Sequence, residues 1–273
     1  MIERTPGPTL SLKECAERLG VHYMTAYKYV RHGKLRAVKV GSEWRVDVSD
    51  LDVMLAGAAI PTPRGETDWS GRLEDRLIAG DEVGAWAIVE VALASGLAPE
   101  DVHVDVLATA MQNIGKGWHD GEVTIAEEHR ATAVAYKIVG RLSNRFARRG
   151  RRRGRIVIGT PPGERHSLPT AVVADLLRGA GWEVVDLGAD VPAAEFIVAV
   201  EKAAPVSVVA IGVTNPAAIE DARNLVVAMR STVEAPIIVG GTAINAATAA
   251  HIGSDAWASD GRTAVVAVEA IGG

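Results

Sequence analysis

A glutamate, a spacer and a histidine stand together in Thr160-Pro161-Pro162-Gly163-Glu164-Arg165-His166-Ser167-Leu168-Pro169. A carboxylate beside an imidazole can hold one ring nitrogen as a donor and leave the other free to ligate a metal. The stretch follows the apolar run Ile156-Val157-Ile158 and precedes an amphipathic run from Ala171 to Leu177. That order predicts a loop between a strand and a helix, the place where open α/β sheets bind ligands. Taken alone the pair says little, since a loop histidine is more often a surface residue than a ligand.

Two later segments add to it. Val208-Val209-Ala210-Ile211 runs into Gly212-Val213-Thr214-Asn215, and Ile237-Ile238-Val239 runs into Gly240-Gly241. Small residues at strand ends let backbone come close to a bulky group. With Glu164 and His166, these segments resemble the base-off/His-on cobalamin signature: acidic-x-His-x-x-Gly, then Ser/Thr-x-Leu, then Gly-Gly. The resemblance implies a corrinoid whose lower cobalt ligand is His166, replacing the dimethylbenzimidazole, with the displaced nucleotide tail in a slot beside the sheet. Gly163, Arg165 and Ser167 would flank it on the first loop, and Gly212, Val213, Thr214, Asn215, Gly240 and Gly241 on the later ones. The chain departs from the pattern twice. Pro169 replaces a glycine, which the first turn of a helix tolerates. Gly212, followed by Val213 and Thr214, replaces Ser/Thr-x-Leu, which puts one hydrogen bond to the tail in doubt.

Residues 69–147 read as four helices, at about Trp69–Ala79, Asp81–Ser95, Pro99–Trp118 and Ile125–Ala147. Short connections predict an antiparallel bundle. Thr124-Ile125-Ala126-Glu127 is a capping box, so Glu128 and His129 fall in the first turn of the fourth helix. Trp118 and His119 end the third, and the four side chains are expected at one tip. The block G-W-H-D-G-E-V-T-I-A-E-E-H fits W-x9-E-H and resembles the bundle motif of CarH/LitR-type cobalamin photoreceptors. That resemblance implies Trp118, Glu128 and His129 over the upper, adenosyl-bearing face of the corrin. It also implies that His119 can take cobalt's upper position once the adenosyl group leaves.

Beyond a basic linker at 148–154, residues 155–273 alternate apolar runs with helical patterns. Five such units predict a doubly wound, five-stranded parallel α/β domain of flavodoxin-like type, with His166, Thr214 and Gly240 at strand ends. No G-x-G-x-x-G follows the first strand, which argues against a dinucleotide. Within the linker the arginine run reads as a solvated surface, with supplementary phosphate contact as the sharper alternative.

At the other end, Ser11-Leu12-Lys13-Glu14 is a capping box opening a helix that stops at Gly20. A second helix, Tyr23 to His32, stops at Gly33. Two short helices about a tight turn make a helix-turn-helix. Arg36–Val40, Gly41-Ser42 and Trp44–Val46 predict a β-hairpin wing, and Ser49-Asp50-Leu51-Asp52 a third short helix. Residues 1–57 resemble the excisionase-like branch of the MerR superfamily of winged helix-turn-helix proteins. Tyr23, Thr25, Lys28 and Arg31 would then face a major groove, and Lys39 and Arg45 phosphates. Residues 58–68, with two prolines, are expected as a linker.

The totals agree with several domains. The chain has 273 residues, is 48% hydrophobic and 23% charged, and carries a net charge of −5. Residues 1–60 hold nine Lys/Arg against seven Asp/Glu, or +2, leaving −7 for the remainder. No apolar run is long enough to span a bilayer, and the start lacks a signal-peptide pattern. The single Cys15, on an apolar helix face, is expected buried, and a cytoplasmic setting follows from the lack of a disulfide. The fold class expected is multidomain α plus α/β: winged head, four-helix bundle, cobalamin-binding sheet domain.

In that order the parts resemble CarH-type regulators. The resemblance implies an adenosylcobalamin-dependent repressor of operator DNA, a tetramer in the dark that light dissociates by breaking the cobalt–carbon bond. Such a protein binds and switches without turnover and has no membrane partner. The alternatives are a corrinoid carrier for methyl transfer, built from the same bundle and sheet, and a regulator sensing another tetrapyrrole. Replacing Lys28 or Arg45 with alanine is expected to weaken binding to a cognate promoter. Undiminished binding in a mobility-shift assay removes both from the interface.

Overall fold

Helix starts and stops are set locally, and at residues 9–55 they match the expectation closely. The computed structural model describes residues 9–21, 23–31, 35–40, 43–55, 67–148 and 150–272. Strand β1 (Thr9–Ser11) leads into α1 (Leu12–Leu19), where Ser11 and Glu14 cap each other reciprocally. Gly20 closes α1 in the left-handed conformation, with φ 64°, which costs a glycine little. Helix α2 (Tyr23–Arg31) follows, then the antiparallel hairpin of β2 (Ala37–Val40) and β3 (Glu43–Asp47), with Lys39 opposite Trp44. β1 pairs with the other edge of β3, a strand the periodicity did not reveal because it is so short.

The third helix, α3 (Val48–Leu55), is introduced by Asp47 rather than by Ser49. The Asp47 carboxylate accepts from the Ser49 backbone N–H at 2.9 Å and from its hydroxyl at 2.7 Å. Cys15 is buried with Leu12, Ala16, Ala26, Leu35, Val46 and Leu51, as a small hydrophobe. The turn residues Gly33, Gly41 and Ser42, most of the expected linker at 58–68, and Arg149 lie outside the described residues.

The bundle comprises α4 (Trp69–Ala79), α5 (Glu82–Ala94), α6 (Pro99–Asp101), α7 (Thr109–His119) and α8 (Ile125–Leu142). The third expected helix is therefore not uniform. Val102–Ala108 winds as a π-helix between α6 and α7, and that wider turn buries Val102, His103, Val106 and Leu107 together. The fourth is shorter than expected, since Ser143–Phe146 tighten into a 3₁₀ turn.

The sheet domain runs β4 (Arg155–Gly159), α9 (Leu168–Gly179), β5 (Glu183–Asp186), α10 (Ala193–Ala203), β6 (Val208–Gly212), α11 (Ile219–Met229), β7 (Ile237–Gly240), α12 (Ala246–Ile252), β8 (Ala256–Ala258) and α13 (Gly261–Gly272). All five strands are parallel, in the order β5-β4-β6-β7-β8. This is the flavodoxin-like order, which reverses between the first and third strands. Pro169 sits in the first turn of α9, as its missing N–H allows. No helix among the described residues is long and apolar enough to cross a membrane.

Bundle and sheet domain share a core. Leu168, Val172 and Leu176 of α9 pack among the bundle's buried residues. Polar ties reinforce the join. Asp175, fully buried, accepts from His103 at 3.1 Å, Ser143 at 2.7 Å and Arg178 at 2.9 Å. Burial pushes its carboxyl up, but these hydrogen bonds outweigh it and hold it below the ordinary range. The His103 ring stacks on Phe146 at 4.8 Å. Removing one member of such a buried set strands the others without partners. Asp175→Ala is expected to lower the unfolding free energy by about 3–5 kcal/mol in urea denaturation. A midpoint like that of the parent would contradict this.

Candidate functional site

The loop after β4 and the loop after β6 meet at the point where strand order reverses, and one carboxylate joins them. Glu164 is fully buried. Its Oε1 accepts from the His166 backbone N–H at 3.0 Å and lies 2.6 Å from His166 Nδ1. Its Oε2 accepts from the Thr214 N–H at 2.7 Å, the Thr214 hydroxyl at 3.0 Å and the Asn215 N–H at 2.6 Å. Burial alone raises the Glu164 pKa. The hydrogen bonds from His166, Asn215 and Thr214 more than offset that and hold it at about 2.

An ionised Glu164 makes Nδ1–H of His166 the donor and leaves Nε2 with its lone pair. The same bond raises the His166 pKa, against the lowering effect of burial, with a further raising contribution from Glu128. The imidazole is still 61% exposed, so the ring is held at one edge and accessible elsewhere.

A third loop, after β5, braces this arrangement. Asp190 donates its N–H to the Glu164 carbonyl at 2.8 Å and to the Thr160 hydroxyl at 2.9 Å. Its carboxylate accepts from the Gly163 N–H at 2.8 Å. Thr160, fully buried, donates its hydroxyl to the Glu164 carbonyl at 2.6 Å. Asp190 adopts φ 55°, a left-handed conformation that aspartate tolerates better than most residues. Neither Thr160 nor Asp190 was singled out from the sequence; the Gly-x-Asp at 188–190, just past the strand Glu183–Asp186, was the available signal.

At three of the strand-end glycines a side chain would collide with the protein's own neighbouring atoms. A Cβ on Gly241, at φ 121°, would lie 2.3 Å from the Val213 carbonyl oxygen, and one on Gly212 would lie 2.4 Å from the Thr170 methyl. A Cβ on Gly240 would meet the Ala258 carbonyl oxygen at 3.2 Å. These positions admit close approach of the protein's own neighbouring segments. The space beside Gly212, where a hydroxyl was missed, is filled by Thr170.

On the bundle side, the Tyr136 hydroxyl of α8 lies 2.7 Å from Ser167 Oγ, a tie the sequence did not show. Glu128, about two turns earlier on the same helix, accepts from Thr132 at 2.9 Å and sits 3.6 Å from His129 Nε2. Glu128 and His129 are in the first turn of α8, and Trp118 and His119 end α7, as expected. Trp118 is 51% exposed, and His119 and Arg165 are exposed as well. Among the described residues, Trp118 and His119 make no hydrogen bond or ring contact with the His166 loop. The Gly117 position admits Val123, whose methyl a Cβ would meet at 2.8 Å, and so shapes the α7–α8 turn that carries them.

In the head, Tyr23 is 39% exposed and Thr25 is half-buried. Arg45, expected to meet phosphate, forms an ion pair with Glu43 at 2.9 Å. The side chains of Lys28, Arg31 and Lys39 lie outside the described residues.

The donor set bears on what the site can hold. Among the described residues no three His, Cys, Asp or Glu side chains converge as a metal-ligand group. A corrinoid would be held by one oriented imidazole, and the His166 ring, fixed at Nδ1 with Nε2 free, is suited to that role.

Comparison with known proteins agrees. Residues 69–143 and 154–269 each match a family described as B12 binding domain, and residues 9–59 match one described as helix-turn-helix domain. The dimethylamine corrinoid protein of Methanosarcina barkeri is 28% identical over 200 residues, covering 71% of this chain and 92% of that protein. Trimethylamine corrinoid protein 1 of Methanosarcina acetivorans is 29% identical over 129 residues, 46% of this chain and 60% of that protein. The structure of the Methanosarcina barkeri monomethylamine corrinoid protein shares the fold, with a TM-score of 0.66 at 19% identity, over 72% of this chain and 96% of that one. The chain thus carries a cobalamin-binding unit, related to corrinoid carrier proteins, behind an N-terminal helix-turn-helix domain.

Linkage gives the site a measurable signature. Glu164 is depressed from 4.5 to about 2, so its contribution to stability is full above about pH 4.5 and is lost as pH falls through about 2. In the corrinoid-free chain, Glu164→Gln is expected to cost on the order of 2–3 kcal/mol at neutral pH. The gap between parent and variant should narrow in acid; a gap independent of pH speaks against an ionised Glu164.

Proposed function

We propose that the bundle and sheet domain hold a cobalamin, with the His166 imidazole as lower cobalt ligand, and serve as a corrinoid carrier for methyl transfer. The observation that supports this most is the buried Glu164 carboxylate fastening His166 to the loop after β6. When bound, the corrinoid would supply a cobalt able to carry an exchangeable methyl group, with His166 as its protein ligand. The chain's own residues do the rest. Glu164 keeps the Nδ1 proton in place and Nε2 available. Gly163, Arg165, Ser167, Gly212, Val213, Thr214, Asn215, Gly240 and Gly241 surround the lower half. Trp118, His119, Glu128 and His129 would cover the upper half, with Glu128 near enough to act on His166 electrostatically. The related corrinoid proteins favour this reading of the body.

A second reading is favoured by the head. The 200 residues aligned with the dimethylamine corrinoid protein are 92% of that protein, which leaves no room in it for a further domain like that at 9–59. On this reading the same body is an adenosylcobalamin sensor, light-responsive, that governs oligomerisation and operator binding in the cytoplasm. His119 would take the upper cobalt position after the adenosyl group is lost. Joining several heads in one oligomer raises avidity on the order of 10²–10⁴, so dissociation alone could release DNA.

One preparation separates the two. Chain purified with methylcobalamin or adenosylcobalamin in the dark is expected to elute coloured from gel filtration, at the same position before and after illumination. A light-dependent change in elution together with loss of promoter binding assigns it to the second reading. His166→Ala is expected to lose the histidine-ligated absorption spectrum and to retain less corrinoid by at least an order of magnitude, as outer contacts of metal sites alone are worth about 10–100-fold. Unchanged spectra would remove His166 as the ligand.

A further inference from the structure

Seven arginines and no acidic residue occupy 145–155, the joint between the end of the bundle and β4. In a chain of net charge −5, so dense a positive run stands out from its surroundings. Part of it is neutralised within the fold. Arg153 pairs with Glu269 and stands 6.0 Å over the Trp182 ring. Arg155 pairs with Glu183 at 3.0 Å and donates to the Ala203 carbonyl. Just upstream on α8, Arg141 is taken up by Glu82 and by the Trp86 ring at 5.1 Å. Arg145, Arg148, Arg151 and Arg152 differ. All four are exposed, and their side chains make no ion pair or hydrogen bond among the described residues.

We infer that these four arginines form a second nucleic-acid surface, separate from the head, that takes the sugar-phosphate backbone of a duplex. The run contains arginine and no lysine, and the guanidinium fork matches phosphate oxygens in a way an ammonium cannot. Between Arg148 and Arg155 there is no aliphatic or aromatic side chain, so the segment lacks the apolar face with which interfacial segments enter a membrane. The inference rests on the reading in which residues 9–59, which match a helix-turn-helix domain and carry little net charge, bring the chain to DNA. Phosphate contacts add affinity without sequence preference. Position also permits simultaneous use of both sites. Arg155 begins β4 whereas the His166 loop follows its end, so the arginines and the cobalamin site lie at opposite ends of the parallel sheet.

The test uses the full chain and a labelled random-sequence duplex, with affinity measured by fluorescence anisotropy across a salt series. Each phosphate contact contributes about 1 to the slope of log affinity against log salt. The quadruple variant Arg145→Gln/Arg148→Gln/Arg151→Gln/Arg152→Gln is therefore expected to shallow the slope by about 3–4, with cobalamin retention and circular dichroism unchanged. The pair Lys202→Gln/Arg223→Gln, exposed charges elsewhere, should leave the slope alone. An unaltered slope in the quadruple variant overturns the inference, as does an equal effect per charge in the control pair. So does binding to vesicles of anionic phospholipid that the variant abolishes while duplex binding persists. In the unmodified chain, duplex should protect the four arginines from phenylglyoxal as mapped by mass spectrometry; lack of protection overturns the surface even if the variant fails to fold.

Discussion

A single buried carboxylate has to remain charged for this site to exist. Glu164 lies where water does not reach, and an ionised group there is tolerated only when its oxygens are saturated with donors. Five donors from three residues do this, and two of those residues belong to a loop fifty positions further on. The carboxylate therefore performs two tasks with one charge. It closes the seam between β4 and β6, and it decides which nitrogen of His166 keeps a proton. Orientation of the imidazole is thus a by-product of holding the sheet's loops together.

The loops that do this are themselves secured from two sides. Thr160 and Asp190 lock the β4 loop to the loop after β5, and Tyr136 meets Ser167 from the bundle. Deeper in the join, Asp175 gathers His103, Ser143 and Arg178, while Arg262 of α13 spans Asp101 and Asp105 with contacts of 2.7–2.8 Å. Shared apolar burial supplies most of the attraction between bundle and sheet, and these polar sets fix the geometry at which it is realised. The π-wound segment belongs to this interface, since it carries His103 to Asp175. His103 Nδ1 has no hydrogen-bond partner among the described residues, and nothing in the structure explains that.

The Gly212 departure from the cobalamin signature has a physical reason in the packing of α9. Pro169 and Thr170 open α9 beside the His166 loop, and the Thr170 methyl occupies the space that a side chain at position 212 would need. A serine or threonine at 212 would require the Thr170 side chain to give way. Gly241 likewise answers to the Val213 backbone, whose N–H donates to the Gly240 carbonyl at 2.8 Å.

Local features were legible from the residues alone. Capping boxes at Ser11 and Thr124, the parallel alternation of strands and helices, and the expectation of His166 at a strand end all rest on neighbours within a few positions, where periodicity and capping act. The placement of Trp118, Glu128 and His129 at adjoining helix ends followed from the same short-range rules. Tertiary structure decided the rest. The union of Glu164 with Thr214 and Asn215, the Asp175 cluster, the brace from Asp190 and the reason for each glycine all join residues far apart in the chain. Whether a buried carboxylate is satisfied depends on donors brought in by folding, and no local pattern records where those donors will arrive.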